Sequence, residues 1–213
     1  MKKALPFLVA SLCVTIIAKA QITKGTVLIG SNLSYITSNF SDSLNELEQS
    51  SFNFAPSVGV AVKENVVIGL RAYLGTGKTK YGISNPEYKT NLYGAGLFVR
   101  RYVPLGKAVY LFGEGELYGI LNNGKQTGSG FKYTLKETRA GLSLYPGISY
   151  VVSKHFQLEA GLNNLVAIEY KNTKNETSYA NTVTKATQES FFASSAIGGN
   201  TGFTLGFRFF LPK

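Results

Sequence analysis

Between Phe52 and Gly77 the chain alternates so regularly that few folds can accept it. Even positions carry Phe52, Phe54, Pro56, Val58, Val60 and Val62, then Val66, Ile68, Leu70, Ala72 and Leu74. Odd positions carry Asn53, Ser57, Gly59, Lys63, Gly69, Arg71 and Gly75. A period of two puts successive side chains on opposite faces of an extended strand. The two runs flank Lys63, Glu64 and Asn65, which predicts a hairpin with a three-residue turn. A register with Ser57 opposite Arg71 keeps both apolar sides on one face and places small groups beneath large ones. Each strand is about a dozen residues long, and a membrane-spanning strand needs roughly 9–11.

The N-terminus bears on where such a hairpin resides. Lys2 and Lys3 precede an apolar run from Ala4 to Ala18, and Ala18-Lys19-Ala20 leads into Gln21. This is the three-part layout of a secretory signal peptide over residues 1–20, with cleavage expected between Ala20 and Gln21. The run is shorter than the ~20 apolar residues of a helical anchor, and Leu12 before Cys13 argues against a lipoprotein signal. Loss of Lys2, Lys3 and Lys19 from the 22 basic residues leaves 19 against 12 acidic, a net charge of +7. The only cysteine leaves as well, so no disulfide framework supports the fold. Residues 21–213 suit one domain. Scattered basic charge on an exported chain points to an anionic surface as partner rather than to nucleic acid. No stretch beyond residue 20 is a continuous apolar helix candidate, so any membrane insertion is through strands.

Alternation recurs along the chain. Strands are expected over Gly25–Thr37, the two halves of the hairpin, Thr90–Val103, Ala108–Leu121, Lys136–Val152, Phe156–Ile168 and from Ile197 to the C-terminus. The polar stretches 38–51, 78–89, 122–135 and 169–192 read as long loops, whereas 63–65, 103–107 and 153–155 read as tight turns. All tight turns fall at one end. The fold class expected is therefore all-β: an eight-stranded antiparallel up-and-down transmembrane β-barrel in the outer membrane, with both termini periplasmic. Pro56 and Pro146 lie inside strands, and a closed barrel has no free edge to absorb a missing N–H, so a bulge is expected at each.

Eight antiparallel strands also fit a soluble barrel that holds a ligand. The less apolar face argues against it, because that face is glycine-rich and interrupted by only a few charges, which suits a narrow lumen. Arg71, Arg100, Glu114, Glu116, Arg139, Glu159 and Arg208 form the expected lumen charge network, since buried charges need partners and the guanidinium fork fits carboxylates. On the other face Tyr35, Phe52, Tyr93 and Phe191 fall near the long-loop end, and Tyr150, Phe156, Phe207 and Phe209 near the short-turn end. Two aromatic girdles at the membrane interfaces are expected from that placement.

The signal peptide, the eight alternating strands and the ending "GFTLGFRFFLPK" resemble the small outer-membrane β-barrel proteins, among them the OmpA membrane domain, OmpX and the PorT-like barrels. The phrases "FVRRYVPLGKAVYLFGEGELYG" and "LSLYPGISYVVSKHFQLEAGL" look most like the PorT-like and porin-like subgroup. The resemblance covers the whole mature chain and implies recognition of a C-terminal aromatic residue by barrel assembly machinery. This chain departs from that pattern, because Leu211, Pro212 and Lys213 follow Phe210.

The expected role is structural or interactive, around a narrow charged lumen and beneath long extracellular loops. Lysines in the polar stretches would meet outer-membrane lipid and lipopolysaccharide, or a surface partner. A PorT-like accessory role in protein secretion, or a small ion channel, is the alternative. Eight strands leave an interior that side chains can fill, which disfavours a wide pore. No catalytic residues, metal site or cofactor are expected: the sole histidine, His155, sits in a short turn without an inward partner, and "GEGELYG" lies in a strand rather than in a phosphate-binding loop.

Overall fold

The computed structural model describes residues 22–41, 46–81, 87–128, 130–162, 165–179, 182–195 and 203–211. Within them the regular structure is all β: β1 (Val27–Ser41), β2 (Glu46–Lys63), β3 (Val66–Tyr81), β4 (Tyr88–Pro104), β5 (Val109–Gly128), β6 (Phe131–Ser153), β7 (Phe156–Leu162), β8 (Val166–Tyr179), β9 (Thr182–Ser195) and β10 (Phe203–Leu211). The expected cleavage pair Ala20 and Gln21, and residues 197–202 of the expected last strand, lie outside the described residues.

All ten segments form one antiparallel sheet closed into a ring of eight staves. Neighbours in sequence pair from β1 to β6. β6 then pairs with β7 along one half and with β8 along the other, so β7 and β8 make a single stave. β10 lies on β7, β9 on β8, and β10 returns to β1 from Val27↔Leu211 to Leu33↔Leu205. Above Leu33, the described part of β1 pairs with β2 alone.

Strand length is the main departure from the sequence-based expectation. The stretches 38–51, 78–89, 122–135 and 169–192 are largely strand: β5 reaches Gly128, β6 begins at Phe131, and β8 with β9 builds a hairpin out to Tyr179↔Thr182. At about 3.3 Å per residue and a tilt near 45°, a 20-residue strand such as β5 rises roughly 45 Å, more than the ~30 Å hydrocarbon layer. The wall therefore continues above the apolar band. There both faces meet water, so nothing forces hydrophobic alternation.

The short turns also differ in detail. Lys63 pairs with Val66, leaving a two-residue turn of Glu64 and Asn65, with one extra residue accommodated between Ala61 and Lys63. Asn65 takes φ 58°, a left-handed conformation that asparagine tolerates better than most residues. The Lys154–His155 turn follows the same plan, with a shift between Val151 and Ser153.

Neither proline produces the expected bulge in its own strand. Ser31↔Pro56 continues the β1–β2 register, and the β2–β3 ladder lapses between Phe54↔Leu74 and Ser57↔Arg71 before resuming without a shift. Gly113↔Pro146 sits in an unbroken β5–β6 ladder. The irregularity near Pro146 falls on the opposite neighbour, where β7 ends at Gly147↔Gly161 and β8 begins at Leu144↔Val166. A residue without an N–H thus stands where the adjacent stave is interrupted, and the missing donor removes little.

The two faces separate cleanly. Leu70, Leu97, Leu117, Leu142 and Ile148 point outward and are exposed, while Leu28, Val67, Phe98, Tyr102, Tyr110 and Phe112 fill the ring. Inward glycines make room for this filling. A Cβ on Gly147 would run into the Phe112 ring, and one on Gly96 into the Glu116 carboxylate.

Candidate functional site: the lumen and its charges

The interior has three levels. At the short-turn end Ile22, Leu28, Val67, Tyr102, Tyr110, Phe112 and Phe210 pack into an apolar plug. Ile22 is held there by the β2–β3 turn: its N–H donates to Asn65 Oδ1 at 3.0 Å, and Asn65 N–H donates to its carbonyl at 2.9 Å. Tyr102 stacks edge-on against Tyr110 and Phe210, with centroids 5.9 and 6.3 Å away. Aromatic side chains are suited to closing a narrow barrel, because each removes a large area from water in one rigid piece.

Above the plug an acid–base string crosses the lumen. It runs Glu116, Arg71, Glu114, Arg100, Glu159, Arg208, alternating sign at every step. Arg71 Nη1 lies 2.7 Å from both Glu116 Oε2 and Glu114 Oε1. Arg100 Nε donates to Glu114 Oε2 at 2.7 Å, and its Nη1 donates to Glu159 Oε1 at 2.6 Å. Arg208 Nη2 stands 3.2 Å from Glu159 Oε2, and its guanidinium also donates to Asn32 Oδ1 and the Ser31 carbonyl at 2.7 and 3.0 Å. Five strand segments contribute: β3, β4, β5, β7 and β10. Cross-strand register places Arg100 directly opposite Glu114, which explains their contact. The Arg100 guanidinium also sits 4.2 Å over the Phe112 ring, a cation–π contact that joins the string to the plug. Arg100 and Arg208 are fully buried. Charges in such a place persist only when each is paired and hydrogen-bonded.

Arg139 belongs elsewhere. It stands 3.2 Å from Glu137 and 4.0 Å from Glu169. Lys171 reaches Glu137 at 2.9 Å, and the Tyr118 hydroxyl donates to Glu169 at 2.8 Å. Sequence reasoning missed Glu137, Glu169 and Tyr118 as lumen partners. Glu169 falls at the start of an expected loop, although its spacing of ten from Glu159 keeps the inward phase of that stave.

Between the string and this second cluster lies a cavity of about 240 Å³, bordered by the polar side chains of Asn53, Arg71, Tyr73, Glu116, Tyr118 and Arg139 and by apolar ones, Phe54 and Ile120 among them. That is ample space for several waters, with polar groups to bind them.

The expected girdle residues are all on the outer face. Tyr35 and Phe191 are more than two-thirds exposed, Phe52, Tyr93, Tyr150 and Phe209 about half, and Phe156 and Phe207 are partly covered. Phe156, Phe207 and Phe209 form one patch, with Phe209 centred 4.9 Å from Phe156 and 5.9 Å from Phe207. His155 Nδ1 is 3.0 Å from the Phe210 carbonyl in the short turn. Among the described residues no cluster of three or more His, Cys, Asp or Glu is arranged to hold a metal ion.

Comparison with known proteins agrees with this architecture. No curated protein sequence matches the chain. The outer membrane protein OprG from Pseudomonas aeruginosa has a similar solved structure, at 14% identity and a TM-score of 0.55 over 90% of this chain and 98% of that one. Neisserial surface protein A (NspA) matches at 19% identity and a TM-score of 0.39 over 90% and 99% of the respective chains. At these identities OprG shares the fold. A family model described as outer membrane protein beta-barrel domain matches residues 7–186, most of the chain. The chain belongs to the outer membrane protein β-barrel domain family.

Proposed function

We propose that this protein is a closed outer-membrane barrel whose role is structural or interactive rather than catalytic or pore-forming. The observation that carries this reading is the continuous string Glu116–Arg71–Glu114–Arg100–Glu159–Arg208 seated on an aromatic plug. Together they occupy the cross-section that a conducting path would need. In this reading the short turns and both termini face the periplasm, and the tall wall built by β5, β6, β8 and β9 stands outside the cell, available to lipid or to a surface partner. Planar-bilayer recording of the refolded protein tests it. Steady closure in both the wild type and Arg71→Ala is expected, and unitary steps in the wild type would overturn closure. The cavity beside Arg71 and Glu116 favours one second reading, a narrow ion path held shut by the string. Steps appearing only in Arg71→Ala would support that one.

A further inference from the structure

The outward face carries a pattern that the fold does not need. On five strand segments, β3, β4, β5, β6 and β8, a lysine stands four residues beyond the last apolar outward residue. Leu74 leads to Lys78, Tyr93 to Lys89, Leu121 to Lys125, Ala140 to Lys136 and Tyr170 to Lys174. The outward residue between them is always uncharged and polar: Thr76, Asn91, Asn123, Thr138 and Asn172. Pairing lines the lysines up. Lys78 is opposite Lys89, Lys89 opposite Lys125, and Lys136 opposite Lys174, with Asn123↔Lys136 joining the two rows.

Like charges directly opposite each other destabilise a sheet, so the arrangement costs the bare protein stability. Glu87 relieves it in part, lying 3.5 Å from Lys78 and 3.2 Å from Lys89. Among the described residues Lys125, Lys136 and Lys174 have no carboxylate partner. Between β4, β5 and β6 the wall forms a recess of about 670 Å³, lined by Lys89, Lys125, Lys136, Asn91 and Asn123, with Glu87 alongside.

Height identifies the partner. Four residues of strand are about 13 Å, or roughly 9 Å of depth at a 45° tilt. The headgroup layer extends about 5–7 Å beyond each side of the hydrocarbon. With the apolar residues at the hydrocarbon edge, flexible lysine stems bring their ammonium groups back to that layer. We propose that this ring is a docking surface for the phosphate-bearing headgroup of an outer-leaflet glycolipid, its phosphates seated in the recess and its acyl chains against Tyr93, Leu121 and Ala140. The proposal rests on the orientation given under the proposed function, with the tall wall outside.

The test is native mass spectrometry of the refolded full barrel in detergent with diphosphorylated lipid A. Lys89→Gln/Lys125→Gln/Lys136→Gln is expected to retain lipid A about tenfold more weakly than the wild type. The Lys→Arg version of the same triple, and Lys63→Gln/Lys107→Gln/Lys154→Gln at the short turns, should bind normally. Unchanged heat-modifiable migration confirms that the variants fold. Equal binding by the ring triple, equal loss in the short-turn triple, equal binding of dephosphorylated lipid A, or displacement by low millimolar inorganic phosphate would each overturn the proposal. Orientation is checked separately with Lys125→Cys and a membrane-impermeant maleimide on intact cells. Labelling only after the outer membrane is permeabilised would overturn the orientation while leaving the lipid A result to stand by itself.

Discussion

The lumen string and the outer lysine ring place cations in two opposite settings, and each setting has its own side chain. Inside, Arg71, Arg100 and Arg208 are buried and each touches at least one carboxylate. Outside, Lys78, Lys89, Lys125, Lys136 and Lys174 are exposed, and among the described residues their one carboxylate partner is Glu87, which pairs with Lys78 and Lys89. A planar guanidinium divides its donors among several fixed acceptors and stacks on an aromatic ring, so it suits a closed interior. An ammonium on a flexible stem is a point charge that stays hydrated and moves, which suits a mobile headgroup. Formal charge, then, does not describe either region, because the number of fixed acceptors around each cation differs.

The largest effect expected from breaking this contrast is in the lumen. Arg100→Leu leaves Arg208 as the one cation on Glu159, beside the Tyr102 hydroxyl, leaves Arg71 as the one cation on Glu114, and removes the cation over Phe112. Removing one partner of a buried pair costs about 3–5 kcal/mol, because a desolvated charge is left behind. Urea unfolding of the refolded barrel in lipid vesicles should show that loss, and an effect near zero would mean water enters the string freely. Arg100→Lys sharpens the comparison by bringing the exterior's side chain indoors. Its ammonium can serve Glu114 or Glu159 but cannot also reproduce the 3.0 Å bond to the Tyr102 hydroxyl and the stacking. Loss of about one charged hydrogen bond, roughly 1.5–3 kcal/mol, is expected in the same assay. Stability equal to the wild type would show that charge alone matters at this site.

How much of this was legible in the sequence follows from where water is. Within the bilayer one face meets lipid and the other a packed lumen, so period-two alternation is enforced, and it assigned Arg71, Arg100, Glu114, Glu116 and Glu159 to the inward face. Above the bilayer the alternation lapses, and residues 169–192 looked like a loop although β8 and β9 pair along their whole described length. Glu169 is hidden by that loop reading, whereas Glu137 lies inside the expected strand Lys136–Val152, in phase with Arg139. The missing proline bulges have a different cause. Pairing is a property of two strands, and the change of partner that accommodates Pro146 falls between the pairs Gly147↔Gly161 and Leu144↔Val166, where nothing near Pro146 in sequence signals it.

The smallest expected effect concerns Glu87, among the described residues the carboxylate that pairs with the ring lysines. The hydrogen bond from Lys89, with Lys78 nearby, holds its carboxyl below the ordinary carboxylate range. Its ionised form is therefore favoured in the folded protein, and whatever stability it lends is present above the unfolded carboxylate pKa and is lost as pH falls through the folded one. Because the group is exposed, that contribution to stability is slight. Its effect on docking has the opposite sign: an anion beside the recess repels the phosphates and engages two lysines that would otherwise face them. Glu87→Gln should tighten lipid A retention about twofold at neutral pH, a size in line with exposed ion pairs. The wild type should approach the variant only at pH values below the ordinary carboxylate range. Weaker binding by Glu87→Gln would mean that this carboxylate orders the lysines for the headgroup, and the ring would then be a templated site rather than a field of loose charges.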